Sequence, residues 1–171
     1  TFDMVISNSV YKRSRNLQTA FRKVNRILIY GGKFYLSIIT RGTLRELQSS
    51  FLRACKKRTK SYPAAVYRHP QICEVIKALK NSGFRVAQTA TYQKTKYYSS
   101  AAEIIKWLKS IGANYYYRTW MKGLNCRPVL QDLENYYKSR YGKNGRIPAT
   151  FCGLIIEAIK NTDGHRFRHN R

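Results

Sequence analysis

Apolar and polar positions along the chain follow two periods in turn. Phe2 to Ser7 is a short apolar run of strand formers ending in Ser7-Asn8, which predicts a buried strand opening into a loop. From Asn16 to Ile29 the apolar residues Leu17, Ala20, Phe21, Val24, Ile27 and Leu28 recur three and four apart, the stripe of an amphipathic helix with Asn16 as N-cap. Gly31-Gly32 ends that pattern, and Lys33 to Ile39 returns to a strand-like run. Strand, helix, turn and strand make a βαβ unit, whose crossover implies parallel pairing.

Thr43 and Glu46 have the spacing of a capping box, predicting a helix to about Ala54. Lys56 to His69 has no period, carries a run of charge and contains Pro63, so it reads as a long loop. Pro70 then opens a helix with Ile72, Val75, Ile76 and Leu79 on one face and Gly83 as its stop. A strand is predicted over Phe84 to Tyr92. A second capping box, Ser100 and Glu103, starts a helix ending at Gly112, and a further helix runs from about Pro128 to Tyr141 before a last strand, Ile147 to Ile159. The alternation specifies an α/β fold.

The length, 171 residues, suits one domain rather than two well-buried cores, and 43% hydrophobic residues support a packed interior. Lys and Arg number 33 against 8 Asp and Glu, a formal charge of +25. No apolar run approaches the roughly 20 residues of a membrane span, and no signal peptide is readable, so the sequence predicts a cytoplasmic protein with no membrane partner. The chain starts inside a strand pattern, from which an upstream natural start is expected. Cys55, Cys73, Cys126 and Cys152 stand apart without a C-x-x-C pair, and His165 and His169 lie in a terminal stretch that is expected to fray, so no metal site is predicted. No G-x-G occurs, which excludes a dinucleotide fingerprint or phosphate loop within these residues.

Six segments then fall in a recognisable order: FDMVISN at Phe2 to Asn8, LIYGGKFYL at Leu28 to Leu36, RGTLREL at Arg41 to Leu47, WLKSIGAN at Trp107 to Asn114, Gly123-Leu124 followed by Leu130 to Tyr136, and GRIPATF at Gly145 to Phe151. This order resembles the malonyl-carrier-protein O-methyltransferases of early biotin synthesis, which are class I S-adenosylmethionine-dependent methyltransferases. The resemblance implies the C-terminal portion of a class I, Rossmann-like methyltransferase sheet with helices on both faces, from strand four onward. Residues 1–160 would form this partial domain and 161–171 a basic, disordered tail. Arg13 stands where the family usually has an aromatic residue, Tyr30 where it has Pro, and Tyr67 where it has Asn. Strands one to three, with the glycine-rich loop and the acidic residue for the cofactor ribose, have no counterpart before Thr1.

The implied reaction moves a methyl group from S-adenosylmethionine to the free carboxylate of a malonyl thioester on acyl carrier protein. A carboxylate is already ionised at neutral pH, so positioning replaces general-base catalysis and no catalytic acid or base is assigned. By the resemblance, Ser7 and Asn8 would meet the co-substrate at the carboxyl end of a parallel strand, and Arg68 would bind the substrate carboxylate bidentately. Lys56, Lys57 and Arg58 would dock the acidic carrier. The bland alternatives are that Asn8 only shapes its turn and Arg68 is one more solvated arginine. The intact family is monomeric, whereas a strand at Phe2 without its family neighbour predicts self-association of this chain. The charge also permits a nucleic-acid-binding module or compositional drift in an inactive remnant. Spread of Lys and Arg over nearly every segment, without a recognition motif, weighs against nucleic acid.

Overall fold

The computed structural model describes residues 1–13, 16–58, 68–113 and 126–162. Its elements are β1 (Phe2–Asn8), a 3-10 turn (Val10–Arg13), α1 (Leu17–Ile27), β2 (Leu28–Ile39), α2 (Arg45–Arg58), α3 (Ile72–Lys80), β3 (Phe84–Tyr98), α4 (Ala101–Ser110), α5 (Cys126–Tyr141) and β4 (Ile147–Lys160). The four strands form one sheet in the order β1-β2-β4-β3; β1 and β2 are parallel, and β4 runs antiparallel to β2. The expected βαβ unit is therefore present. The chain divides into two compact units, one of residues 1–41, 69–92 and 152–171, the other of 42–68 and 93–151.

In the first unit Asn16 caps α1, its side chain accepting from the Thr19 N–H at 3.0 Å. Phe21 and Val24 then face inward, as their spacing requires. They meet Phe34, Leu36 and Ile38, alternate residues of β2, and Leu154, Ile156 and Ala158, alternate residues of β4. Burying each large side chain of this set contributes about 1.5–3 kcal/mol. Edge-on contacts of Tyr11 with Phe21 (5.4 Å) and of Phe21 with Phe34 (5.8 Å) add directional packing.

Two sequence expectations are corrected here. The strand begins at Leu28, directly after α1, so Gly31 and Gly32 lie inside β2 rather than between helix and strand. Phe2 pairs with Leu28 but Met4 with Lys33, so β2 advances five residues while β1 advances two. Gly32 fills this irregularity because a Cβ there would stand 2.9 Å from the Ile29 carbonyl and 3.2 Å from that of Asp3. Pro70 does not open α3; Gln71 is its cap, the Gln71 N–H donating to Glu74 at 2.7 Å. Gly83, at φ +84, ends the turn after that helix as expected.

The second unit packs Leu47, Phe51 and Ala54 of α2 against Ile104 and Leu108 of α4, Leu133 and Tyr137 of α5, and Ile147 and Ala149 of β4. Tyr137, fully buried, donates its hydroxyl to the Pro148 carbonyl at 2.6 Å. The predicted cap of α4 forms, with Ser100 accepting from Glu103 N–H. Lys56, Lys57 and Arg58 are not in a loop: α2 continues through them. Lys and Arg are good helix formers, and their charge suits the carbonyl end of a helix, so a charge run misread as a break is a last helical turn. Strand β3 likewise runs to Tyr98, past the predicted Tyr92.

Candidate functional site

The carboxyl ends of β1 and β2 form the rim where open parallel sheets hold ligands. Ser7 is buried there, and among the described residues its Oγ has no hydrogen-bond partner. Asn8 is exposed, its Oδ1 accepting from the Ser9 hydroxyl at 3.3 Å. Ser9 takes φ 57 and returns the chain by donating its N–H to the Ser37 carbonyl at 2.8 Å. The two residues thus stand at the end of β1, Ser7 buried and Asn8 exposed. Tyr11, missed in the sequence reading, lies beside Ser7. Burial raises the Tyr11 phenol above its ordinary value, and the Ser7 hydroxyl opposes that from nearby without the geometry of a full hydrogen bond. An aromatic four residues after Ser7 was the available signal. At the end of β2, Thr40 is buried, its N–H donating to Cys152, and Arg41 N–H donates to the Pro70 carbonyl at 2.9 Å.

The other predicted residues belong to the second unit. Arg68 is exposed. Lys57 pairs with Asp132 at 2.8 Å, and the two stand in a cavity of about 580 Å³ between α2 and α5 that Arg53, Lys56, Asn135 and Tyr136 also line. Lys56 and Lys57 are therefore brought together, with Arg53 added; the side chain of Arg58 lies outside the described residues. No local pattern could have supplied Asp132, which is 75 positions from Lys57. Cys126, His165, His169 and Tyr67 also fall, wholly or by side chain, outside the described residues.

No protein-family model matches the chain. It is 28% identical to a malonyl-(acyl-carrier protein) O-methyltransferase of Geobacter sulfurreducens over 150 residues, which cover 88% of this chain and 56% of that protein. The protein of that name from Alcanivorax borkumensis is 29% identical over 144 residues, covering 84% and 46%. The chain resembles the malonyl-(acyl-carrier protein) O-methyltransferases. It spans about half the length of the curated relatives it matches. Among solved structures, a candidate methyltransferase from Bacillus halodurans superposes with TM-score 0.56 at 16% identity, over 94% of this chain and 65% of that one. The α/β methyltransferase fold expected from the ordered motifs is therefore present; the place of β4 between β2 and β3, antiparallel to β2, is seen only in the structure.

Proposed function

We propose that the chain serves in methyl transfer from S-adenosylmethionine to the free carboxylate of a malonyl thioester carried on acyl carrier protein. The observation that supports it is the colinear similarity, over 84% and 88% of the chain, to two curated enzymes of that name. S-adenosylmethionine would supply an electrophilic methyl on a sulfonium sulfur; the carboxylate oxygen would take it without surrendering a proton as the carbon–sulfur bond breaks, its electron pair staying on sulfur to leave the neutral thioether S-adenosylhomocysteine. Ser7 and Asn8 would present a buried hydroxyl and an amide to that co-substrate at the end of β1. They fit only one side of it, because this sequence holds no G-x-G cradle. Arg68 would grip the substrate carboxylate through its planar fork, and Lys56, Lys57 and Arg58 would steer the acidic carrier.

The test is incubation of the protein with methyl-labelled S-adenosylmethionine and malonyl-loaded carrier. A base-labile methyl ester on the malonyl group is the expected product. Label found in nucleic acid or protein side chains, with none in malonyl thioester, overturns the reading. Charge reversal at Lys56, Lys57 and Arg58 should slow carrier association and flatten its salt dependence. Unchanged salt dependence would return these residues to a solvated helix end.

A further inference from the structure

The groove between α2 and α5, which lies wholly within the second unit, is lined by two facing stripes of polar side chains. On α2 these are Arg53, Lys56 and Lys57, three and four apart; on α5 they are Asp132, Asn135, Tyr136 and Ser139, at the same helical spacing. Asp132 is already engaged by Lys57 at 2.8 Å, and the Ser139 hydroxyl donates to the Tyr136 carbonyl at 3.1 Å. Four groups remain. Among the described residues, the side chains of Arg53, Lys56 and Asn135 and the Tyr136 hydroxyl have no hydrogen-bond or ion-pair partner. All four can donate, and they come from both walls. Three cations against one carboxylate give the groove an excess of two positive charges. The carbonyl end of α2 accounts for Lys56 and Lys57 in its last turn, but not for Arg53 one turn earlier.

We propose that this groove binds the phosphate group of a phosphate ester. A cavity of about 580 Å³ is of the size that holds a small ligand. A tetrahedral phosphate points its oxygens in several directions, so the Arg53 guanidinium and Lys56 take one side while the Asn135 amide and the Tyr136 hydroxyl take the other. A carboxylate, planar and with two oxygens, would be used up by a single wall. The α2 cations span about 6 Å of helix axis, enough for one phosphate and too short for the succession along a nucleic-acid strand. Two sources share this chemistry: a free small phosphate monoester, and the phosphodiester that joins a thioester arm to its carrier protein. Carrier steering by Lys56 and Lys57 needs positive charge alone; a phosphate site needs four donors in fixed places and so goes beyond it.

The probe is phosphopantetheine, a phosphate monoester, titrated calorimetrically into the full chain, with pantetheine as its phosphate-free counterpart. One-site binding of the first is expected, and binding at least about tenfold weaker for the second. Asn135→Ala and Tyr136→Phe change no charge, yet each should weaken binding about fivefold, and Arg53→Gln at least about tenfold. The pair Lys106→Gln with Lys109→Gln removes two charges from α4 that do not line this groove, and should change binding less than about twofold. Thermal melts by circular dichroism check that each variant is folded. Competition by a carrier protein bearing its phosphorylated arm, and not by the carrier without it, makes the phosphodiester the source; competition by neither makes it a free monoester. Equal affinity for pantetheine overturns the proposal. So does indifference to Asn135→Ala and Tyr136→Phe together with equal weakening by the Lys106 and Lys109 pair, which would mark a general polyanion surface. Salt-dependent carrier association without phosphopantetheine binding would overturn this site and leave the steering role standing, whereas phosphopantetheine binding without carrier association would do the reverse.

Discussion

Glu46 shows how a local signal and its tertiary use diverge. Its spacing from Thr43 predicts a helix start, and α2 does begin there. Yet the carboxyl group reaches β4, accepting from the Thr150 N–H at 3.2 Å and the Thr150 hydroxyl at 2.5 Å, all buried. Glu46→Ala leaves both donors dry, and denaturant titration should show a loss of about 1–3 kcal/mol. His69 sets a different condition. Burial lowers its imidazole from 6.5 to about 4, so the folded state holds it neutral. Its contribution is complete above pH 6.5, where neither state binds the proton. It is lost as pH falls from 6.5 to about 4, by up to about 3 kcal/mol. Unfolding midpoints measured across that window should fall for the natural protein and stay flatter for His69→Gln. Glu103 and Glu157, held below the usual carboxylate range by Ser99 and Lys33 respectively, act in a lower window; their contribution is present above about 4.5 and lost as pH falls through their folded values.

At the level of elements, what was legible is what short-range spacing determines. The α1 stripe and its Asn16 cap, the Ser100 cap of α4 and the parallel pairing of β1 with β2 all follow from residues within a few turns of one another. The misjudged boundaries depend on distant chain. Gly31-Gly32 looks like punctuation, but the backbone of β1 draws both residues into β2. Lys56 to Arg58 looks like loop charge, but Asp132 of α5 gives Lys57 a partner on the helix. The α2–α5 groove was invisible for the same reason, whereas the Ser7-Asn8 rim was legible as a strand end. Gly32→Ala should cost about 1–3 kcal/mol by overpacking against two carbonyls that belong to backbone. Hydrogen exchange would locate the damage, with amides of β1 losing protection before those of β4.

Across the whole molecule, β1 closes one end of the strand order, and Phe2, Met4 and Ile6 are 58%, 50% and 72% exposed. An apolar strand with an open edge templates association. Light scattering should therefore show concentration-dependent self-association of this chain that Met4→Lys with Ile6→Lys suppresses. Calorimetry on the 171-residue chain should find S-adenosylmethionine affinity weaker than about micromolar. A monomer with micromolar affinity would dismiss the assignment of Ser7 and Asn8 as one side of a larger site. The excess of 33 basic over 8 acidic residues hides an order of its own. Six acids each hold a named partner: Glu46 on Thr150, Glu74 on Gln71, Glu103 on Ser99, Asp132 on Lys57, Glu134 on Ala101, and Glu157 on Lys33. Inherited variation at charged positions should accordingly be lopsided. In a randomised library selected only for folded protein, Lys, Arg and Gln would interchange freely over most of the surface, while these six acids would survive nearly unchanged.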